Sequence, residues 1–337
     1  MNEVSKELSD IISFSHQLIG NVTLDRSPYN LYEPINYILS LKGKNIRSIL
    51  AMISFRMMSQ SSSEDINNLM TAIELFHNFT LVHDDLMDNA QVRRGKDTIN
   101  YKWSGNQAVL SGDVLLIESY SFLLKLQSPN SLGVIKIFNQ TAAKICEGQQ
   151  LDLDLQEQRV ITLDDYFHMI DLKTSELITF SLLAPFKLFS DKNINTDTIR
   201  KIGYSLGRLF QIQDDYLDLY GDMKKVGKLV GGDIIEQKKT FLYTLALDRC
   251  SSNTKEKLIN SYHLSFSNSN QEYSDFIQNK LLLVSSIYDS LGIKQLVEDK
   301  IDILGRSIVD LISHLDVPNH SKNSLREFIT FILHRDL

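Results

Sequence analysis

Apolar residues recur along this chain at intervals of three and four, whereas strict alternation over several residues is hard to find. Ile202, Leu206, Leu209, Phe210, Tyr216, Leu217 and Tyr220 illustrate the rule, because they fall on one side of a 3.6-residue repeat. The pattern predicts helices over roughly 34–40, 45–59, 65–90, 105–127, 132–157, 163–188, 196–222, 235–249, 271–288, 293–316 and 320–333. The five prolines fall mostly in polar breaks such as Ser27-Pro28-Tyr29-Asn30, so the helices between them are long. No linker or internal repeat divides them. The expected fold class is all-α, and the expected organisation is a single domain over residues 1–337. The longer breaks near 90–104 and 222–233 directly follow acidic clusters and are candidates for closing over a ligand; 251–270 has no such link.

Composition narrows the function classes. Hydrophobic residues make up 43% and charged residues 23%, which gives enough apolar surface for a sizeable core and excludes a disordered chain. The net charge of −7 argues against a broad nucleic-acid surface, which needs a basic stripe to displace counterions. Cys146 and Cys250 are far apart and have no metal-ligand spacing, so neither a disulfide scaffold nor a zinc site is expected. The first residues lack the basic start and apolar run of a signal peptide, and no stretch reaches the roughly 20 apolar residues of a membrane span. A cytoplasmic protein is expected.

The candidate chemistry begins at Asp84-Asp85-Leu86-Met87-Asp88. On a helix Asp84 and Asp88 share a face and Asp85 stands on its flank, so the like charges repel unless a cation sits among them. Hard oxygen donors select magnesium or calcium, and magnesium takes few protein carboxylates and completes its shell with water and substrate phosphate. Alternatively the motif is a solvated helix end. Arg93-Arg94-Gly95-Lys96 follows, and its cations either neutralise the carboxylates or bind the same anion as the metal.

The pattern repeats at Asp214-Asp215-Tyr216-Leu217-Asp218. There Gly207, Gln211, Asp214 and Asp218 form a narrow polar stripe on an apolar helix. Such a stripe needs water or a ligand, because unpartnered buried carboxylates are costly. Basic residues gather in loop-like surroundings nearby: Gly227-Lys228, Gly231-Gly232-Asp233 and Lys238-Lys239-Thr240. Lys173-Thr174 and Gly43-Lys44-Asn45-Ile46-Arg47 add further cations.

These motifs, with Glu74-x-x-His77, Gly112-Asp113 and Gly148-Gln149-x-x-Asp152, recur in order from about residue 43 to 240, and the chain resembles a trans-isoprenyl diphosphate synthase of the polyprenyl synthetase family. Asn45 and Ser48 depart from the pattern, standing where that family usually has arginine and proline. The resemblance implies a helical bundle around a central cavity, a homodimer, and two aspartate clusters facing each other. It implies magnesium at Asp84, Asp85, Asp88, Asp214, Asp215 and Asp218. The allylic prenyl diphosphate would be held through that metal, with positive charge from Arg93, Lys173, Lys228 and Lys238; isopentenyl diphosphate would sit on Lys44, Arg47, His77 and Arg94. Thr174 and Gln211 would present oxygens to the allylic cation, and the released diphosphate would take the final proton. His83 is read as an ordinary helix residue.

The product tail would run back along the first aspartate helix, past Thr80, Phe79 and Phe76. An aromatic at Phe79 and a small residue at Thr80 resemble short-chain enzymes, so geranylgeranyl diphosphate is the expected product, with farnesyl or a longer polyprenyl diphosphate as the alternative. A class I terpene cyclase is a rival within enzymes, but it expects an Asn/Ser/Glu metal motif in place of the second aspartate cluster. A non-catalytic subunit is a rival outside them, but it has no need of both clusters and all the cations.

Overall fold

The computed structural model describes residues 4–41, 43–59, 63–190, 196–221, 231–263 and 270–333. Its helices are α1 (Lys6–Gly20), α2 (Tyr29–Ser40), α3 (Ile46–Arg56), α4 (Glu64–Met87), α5 (Ile99–Lys102), α6 (Gly105–Leu123), α7 (Ser131–Glu157) and α8 (Leu163–Ile170). A π-helical turn, Asp171–Ser175, leads directly into α9 (Glu176–Phe189). Then follow α10 (Thr196–Tyr220), α11 (Gly232–Ile235), α12 (Phe241–Arg249), α13 (Ser252–Ser261), α14 (Asn270–Ser290), α15 (Ile293–Ser313) and α16 (Asn323–Leu333). Among the described residues the only strands are the two-residue pair β1 (Val92–Arg93) and β2 (Lys96–Asp97), so the class is all-α. No helix among them is long and apolar enough to cross a membrane.

Helix starts follow local chemistry. Ser5, Ser104 and Thr240 each turn a hydroxyl onto an otherwise orphaned N–H three residues ahead, and Thr162 with Asp165 forms a reciprocal capping box. Besides the one-turn helices α5 and α11, two helices were not anticipated. α1 buries only Leu8, Ile11, Ser15 and Ile19, and its start is tied down by the Ser5 N–H donating to Glu327. α13 lies inside the polar stretch 251–270 and buries little beyond Leu258 and Ile259. Their apolar faces are too narrow to stand out in the sequence. The helix expected over 235–249 is divided at Lys238–Thr240, where the Thr240 cap starts α12.

The chain divides into two compact units. The first comprises Met1–Ala143, Leu177–Gly203 and Val309–Ile332. Its axis is α4, buried on nearly every side from Ile66 to Phe79 and packed on α3 and α6. Phe138 is its aromatic hub, with ring centroids 5.0 Å from Phe76, 5.1 Å from Tyr120 and 5.3 Å from Phe180. Burying each such ring contributes about 1.5–3 kcal/mol. The second unit comprises Lys144–Glu176, Tyr204–Ile308 and Leu333–Leu337, and its core includes Tyr166, Tyr216, Phe241, Tyr243, Tyr262 and Tyr288.

Candidate active site

In the first unit the aspartate cluster occupies the last turn of α4, with Asp88 as the C-cap. Asp84 and Asp88 are half-buried and share a face, at the helix end where the backbone dipole is already negative, an arrangement that favours a bound cation. Asp85 is different. It is 2% exposed, and its Oδ1 accepts from Arg93 Nε at 2.8 Å and Nη2 at 2.5 Å. Arg93 reaches it because the chain doubles back in a hairpin pairing Val92 with Asp97 and Arg93 with Lys96. The two turn residues, Arg94 and Gly95, have φ of 54° and 71°, the positive values that a tight two-residue hairpin requires. Thr98 closes the loop by donating its hydroxyl to the Ala90 carbonyl and its N–H to the Gln91 carbonyl.

Arg47, His77 and Arg94, three of the residues expected to receive isopentenyl diphosphate, lie near one another in the same unit. The Arg47 Nη1 lies 3.0 Å from His77 Nε2, and since a guanidinium only donates, Nε2 is the acceptor and the proton sits on Nδ1. Burial, and then the charges of Arg47, Arg94 and Arg93, hold the imidazole well below its ordinary pKa, so it is neutral. Arg94 donates to the Leu41 carbonyl at 3.0 Å, beside the loop carrying exposed Lys44. Behind the cluster, Phe79 is 9% exposed and packs edge-on against His83, with centroids 4.8 Å apart. Phe76 is fully buried, 5.4 Å from Phe79. Thr80 is half-buried and donates its hydroxyl to the His77 carbonyl.

In the second unit the other cluster lies in the last two turns of α10. Asp214 is exposed and Asp218 half-buried, and Asp218 accepts the Asp233 N–H at 2.9 Å. Asp215, 5% exposed, takes three donors: Tyr166 hydroxyl at 2.8 Å, Phe241 N–H at 2.7 Å and Gln211 Nε2 at 2.9 Å. Burial pushes its carboxyl up to about 6 against those three bonds, which favour the anion. The Gln211 amide is thereby oriented, and its Oε1 accepts from the Thr174 hydroxyl at 3.3 Å. Lys173 and Thr174 sit in the π-helical turn, and such one-turn bulges often mark functional sites. Lys173 pairs with Asp152 of α7 at 2.5 Å, and Arg208 forks onto Asp171 at 2.7 and 2.5 Å. Two glycines let neighbouring helices press on this turn: a Cβ at Gly148 would lie 2.3 Å from the Lys173 nitrogen, and one at Gly207 would lie 2.5 Å from the Ser175 Cα. Lys238 pairs with Glu236 at 3.2 Å. Lys228 lies outside the described residues.

The donor chemistry fits magnesium. Carboxylates one helical turn apart at a helix C-terminus supply one or two hard oxygens each and leave the rest of the shell to water and phosphate. Among the described residues no three His, Cys, Asp or Glu side chains converge to enclose an ion. The sequence marks all six aspartates as metal ligands and sets Asp85 on the flank of the Asp84–Asp88 face. In the structure Asp85 and Asp215 are the buried members, Asp85 accepting from Arg93 and Asp215 from Tyr166, Phe241 and Gln211. Sequence reasoning also missed Tyr166, Asp171 and Arg208, and it counted Lys239 among the cations near the cluster, whereas its Nζ donates to the carbonyls of Leu155, Gln156 and Gln158 at the end of α7. Each works through a partner distant in sequence, which no local pattern announces.

A family model described as polyprenyl synthetase matches residues 28–279. The short chain isoprenyl diphosphate synthase of Methanocaldococcus jannaschii is 34% identical over 265 residues, covering 77% of this chain and 80% of that protein. A crystal structure of a geranylgeranyl pyrophosphate synthase matches with a TM-score of 0.88 at 34% identity over 100% of both chains. The geranylgeranyl pyrophosphate synthetase from Pyrococcus horikoshii Ot3 matches with a TM-score of 0.84 at 26% identity, covering 98% of this chain and 97% of that one.

Proposed function

The chain belongs to the polyprenyl synthetase family, and from that premise we propose that it condenses isopentenyl diphosphate with an allylic prenyl diphosphate, 1'-4, releasing diphosphate and forming a short-chain prenyl diphosphate. The observation that carries the reading is the common build of the two clusters: a buried middle aspartate held by donors, flanked by two that reach solvent at the end of a long helix. Asp84, Asp88, Asp214 and Asp218 would hold magnesium, which when bound supplies Lewis-acid stabilisation of the departing diphosphate.

The chain's own residues do the rest. Arg93, fixed by Asp85, adds preorganised positive charge for the leaving group with Lys173, Lys228 and Lys238. Lys173 exchanges its Asp152 partner for diphosphate oxygens. Thr174 and Gln211, aligned through Asp215, turn oxygens toward the developing allylic cation. Lys44, Arg47 and Arg94 receive the isopentenyl diphosphate, with neutral His77 holding Arg47 and offering its Nδ1 proton. The double bond attacks the cation, and the released diphosphate accepts the proton lost from the new chain.

The covered rings of Phe79 and Phe76 support geranylgeranyl diphosphate as the product, with farnesyl diphosphate as the alternative. The names of two of the relatives, short chain and geranylgeranyl, support the same range. A homodimer is supported by Leu110, Ile117 and Leu124, exposed at steps of seven along α6 and its cap. The reading is completed by one catalytic domain acting in the cytoplasm.

The test is incubation of the purified chain with isopentenyl diphosphate and each allylic primer in magnesium, followed by chromatography of the dephosphorylated products. One product dominated by C20 or C15 is expected, and none in excess chelator. Cyclic hydrocarbon from allylic substrate alone would indicate a cyclase, and an inert chain a non-catalytic subunit.

A further inference from the structure

The start of α3 has a cap problem. Its N-cap residue, Asn45, is left-handed (φ 47°, ψ 36°) and makes no side-chain cap hydrogen bond. Yet the N–H of Ser48 in the first turn is completely buried, where an unmatched donor is costly. The acceptor comes from another helix. Glu74 of α4, 3% exposed, places Oε1 3.0 Å from the Ser48 nitrogen. Its own backbone carbonyl accepts from Asn78 Nδ2 at 2.8 Å. One turn further along α4, His77 holds the guanidinium of Arg47, the residue next to Ser48. α4 therefore grips α3 at adjacent points, one on the backbone and one on the side chain.

We propose that Glu74 is a positioning residue for the isopentenyl diphosphate subsite: it fixes the first turn of α3, and with it the aim of Arg47, without touching substrate. The proposal rests on the reading of Arg47 given above. It also has a consequence for recognition. The Glu74 carboxylate occupies one of the first-turn N–H groups that a helix start would otherwise offer to a phosphate, so the Ser48 N–H is withheld from the diphosphate.

Three variants test it. Glu74→Gln keeps an acceptor, Glu74→Leu removes it, and Glu74→Leu with Ser48→Pro removes the stranded donor as well, since proline has no N–H and suits a first helical turn. Steady-state kinetics should show Glu74→Leu raising KM for isopentenyl diphosphate by about tenfold or more, with KM for the allylic substrate within about twofold. Glu74→Gln should stay within about threefold of the unchanged protein, and the double variant should recover most of the loss. Equal rises in both KM values, Glu74→Gln behaving like Glu74→Leu, or no recovery in a double variant with an unchanged melting temperature would each overturn the proposal. Amide exchange at Ser48, expected to quicken in Glu74→Leu and not in Glu74→Gln, reads the same bond without turnover. An inert chain would remove the reading of the reaction, and unaltered exchange in Glu74→Leu would overturn the positioning role by itself.

Discussion

Asp84 and Asp85 are neighbours with opposite surroundings, and the difference sets what each substitution should do. Asp84 reaches solvent at the negative end of α4, so Asp84→Ala should leave the melting temperature unchanged or slightly raised while kcat/KM falls about a thousandfold or more. Asp215→Asn should lose stability, on the order of 2 kcal/mol, because three donors around a buried carboxylate lose their charged acceptor. Thermal unfolding and turnover measured side by side check both; equal melting temperatures would contradict the distinction. For product length, Phe79→Ala should shift the products toward one further five-carbon unit. Phe76→Ala should also lengthen them but cost about 3–5 kcal/mol, because that ring is fully buried against Phe138. Chromatography of the products and a denaturant melt separate the two. Lys280 is 4% exposed, its Nζ 5.3 Å from the centroid of the Tyr262 ring, and burial lowers its amine to about 8. Because the folded value lies below the unfolded one, the buried ammonium costs stability fully below pH 8, and the cost fades as pH rises toward the ordinary lysine range. Lys280→Met should therefore stabilise by on the order of 2 kcal/mol at pH 7 and by much less near pH 10, measured as urea midpoints at each pH.

The π-helical turn between α8 and α9 shows how an element is shaped by its neighbours. Gly148 on α7 and Gly207 on α10 let both backbones approach it, while Asp152 and Arg208 pair with Lys173 and Asp171 of the turn. A methyl group at Gly207 would meet backbone, which cannot swing aside as a long side chain can. Gly207→Ala should thus cost about 1–3 kcal/mol and lower kcat by displacing Thr174 from Gln211. Gly133→Ala near the start of α7, where nothing lies within 4 Å, is the control and should be neutral or slightly stabilising. Matching losses in the two variants would contradict a special fit at the turn.

At the scale of the whole molecule, the row Leu110, Ile117 and Leu124 is 51, 60 and 74% exposed, an apolar stripe consistent with a second copy of this chain. Ile117→Asp should shift the mass measured by light scattering from dimer to monomer at micromolar concentration while leaving the helical circular dichroism intact. A dimer of unaltered strength would remove this stripe from the interface.

The sequence determined the fold class and the location of both clusters, because a 3.6-residue apolar period and a run of like charges are local features that any helix must express. It also pointed to the separate basic groupings, since Arg47, Arg93, Arg94 and Lys173 stand in short motifs. What it could not decide was which carboxylate in each cluster is buried. That depends on Arg93 returning through a hairpin and on Tyr166 and Phe241 arriving from 49 and 26 residues away. α1 and α13 escaped it because helices with few buried residues carry too little pattern to be seen. The cap on α3 escaped it because hydrogen-bond satisfaction is a property of the packed chain: Glu74 and Ser48 stand in separate motifs 26 residues apart, and only packing α4 against α3 makes one the acceptor the other needs.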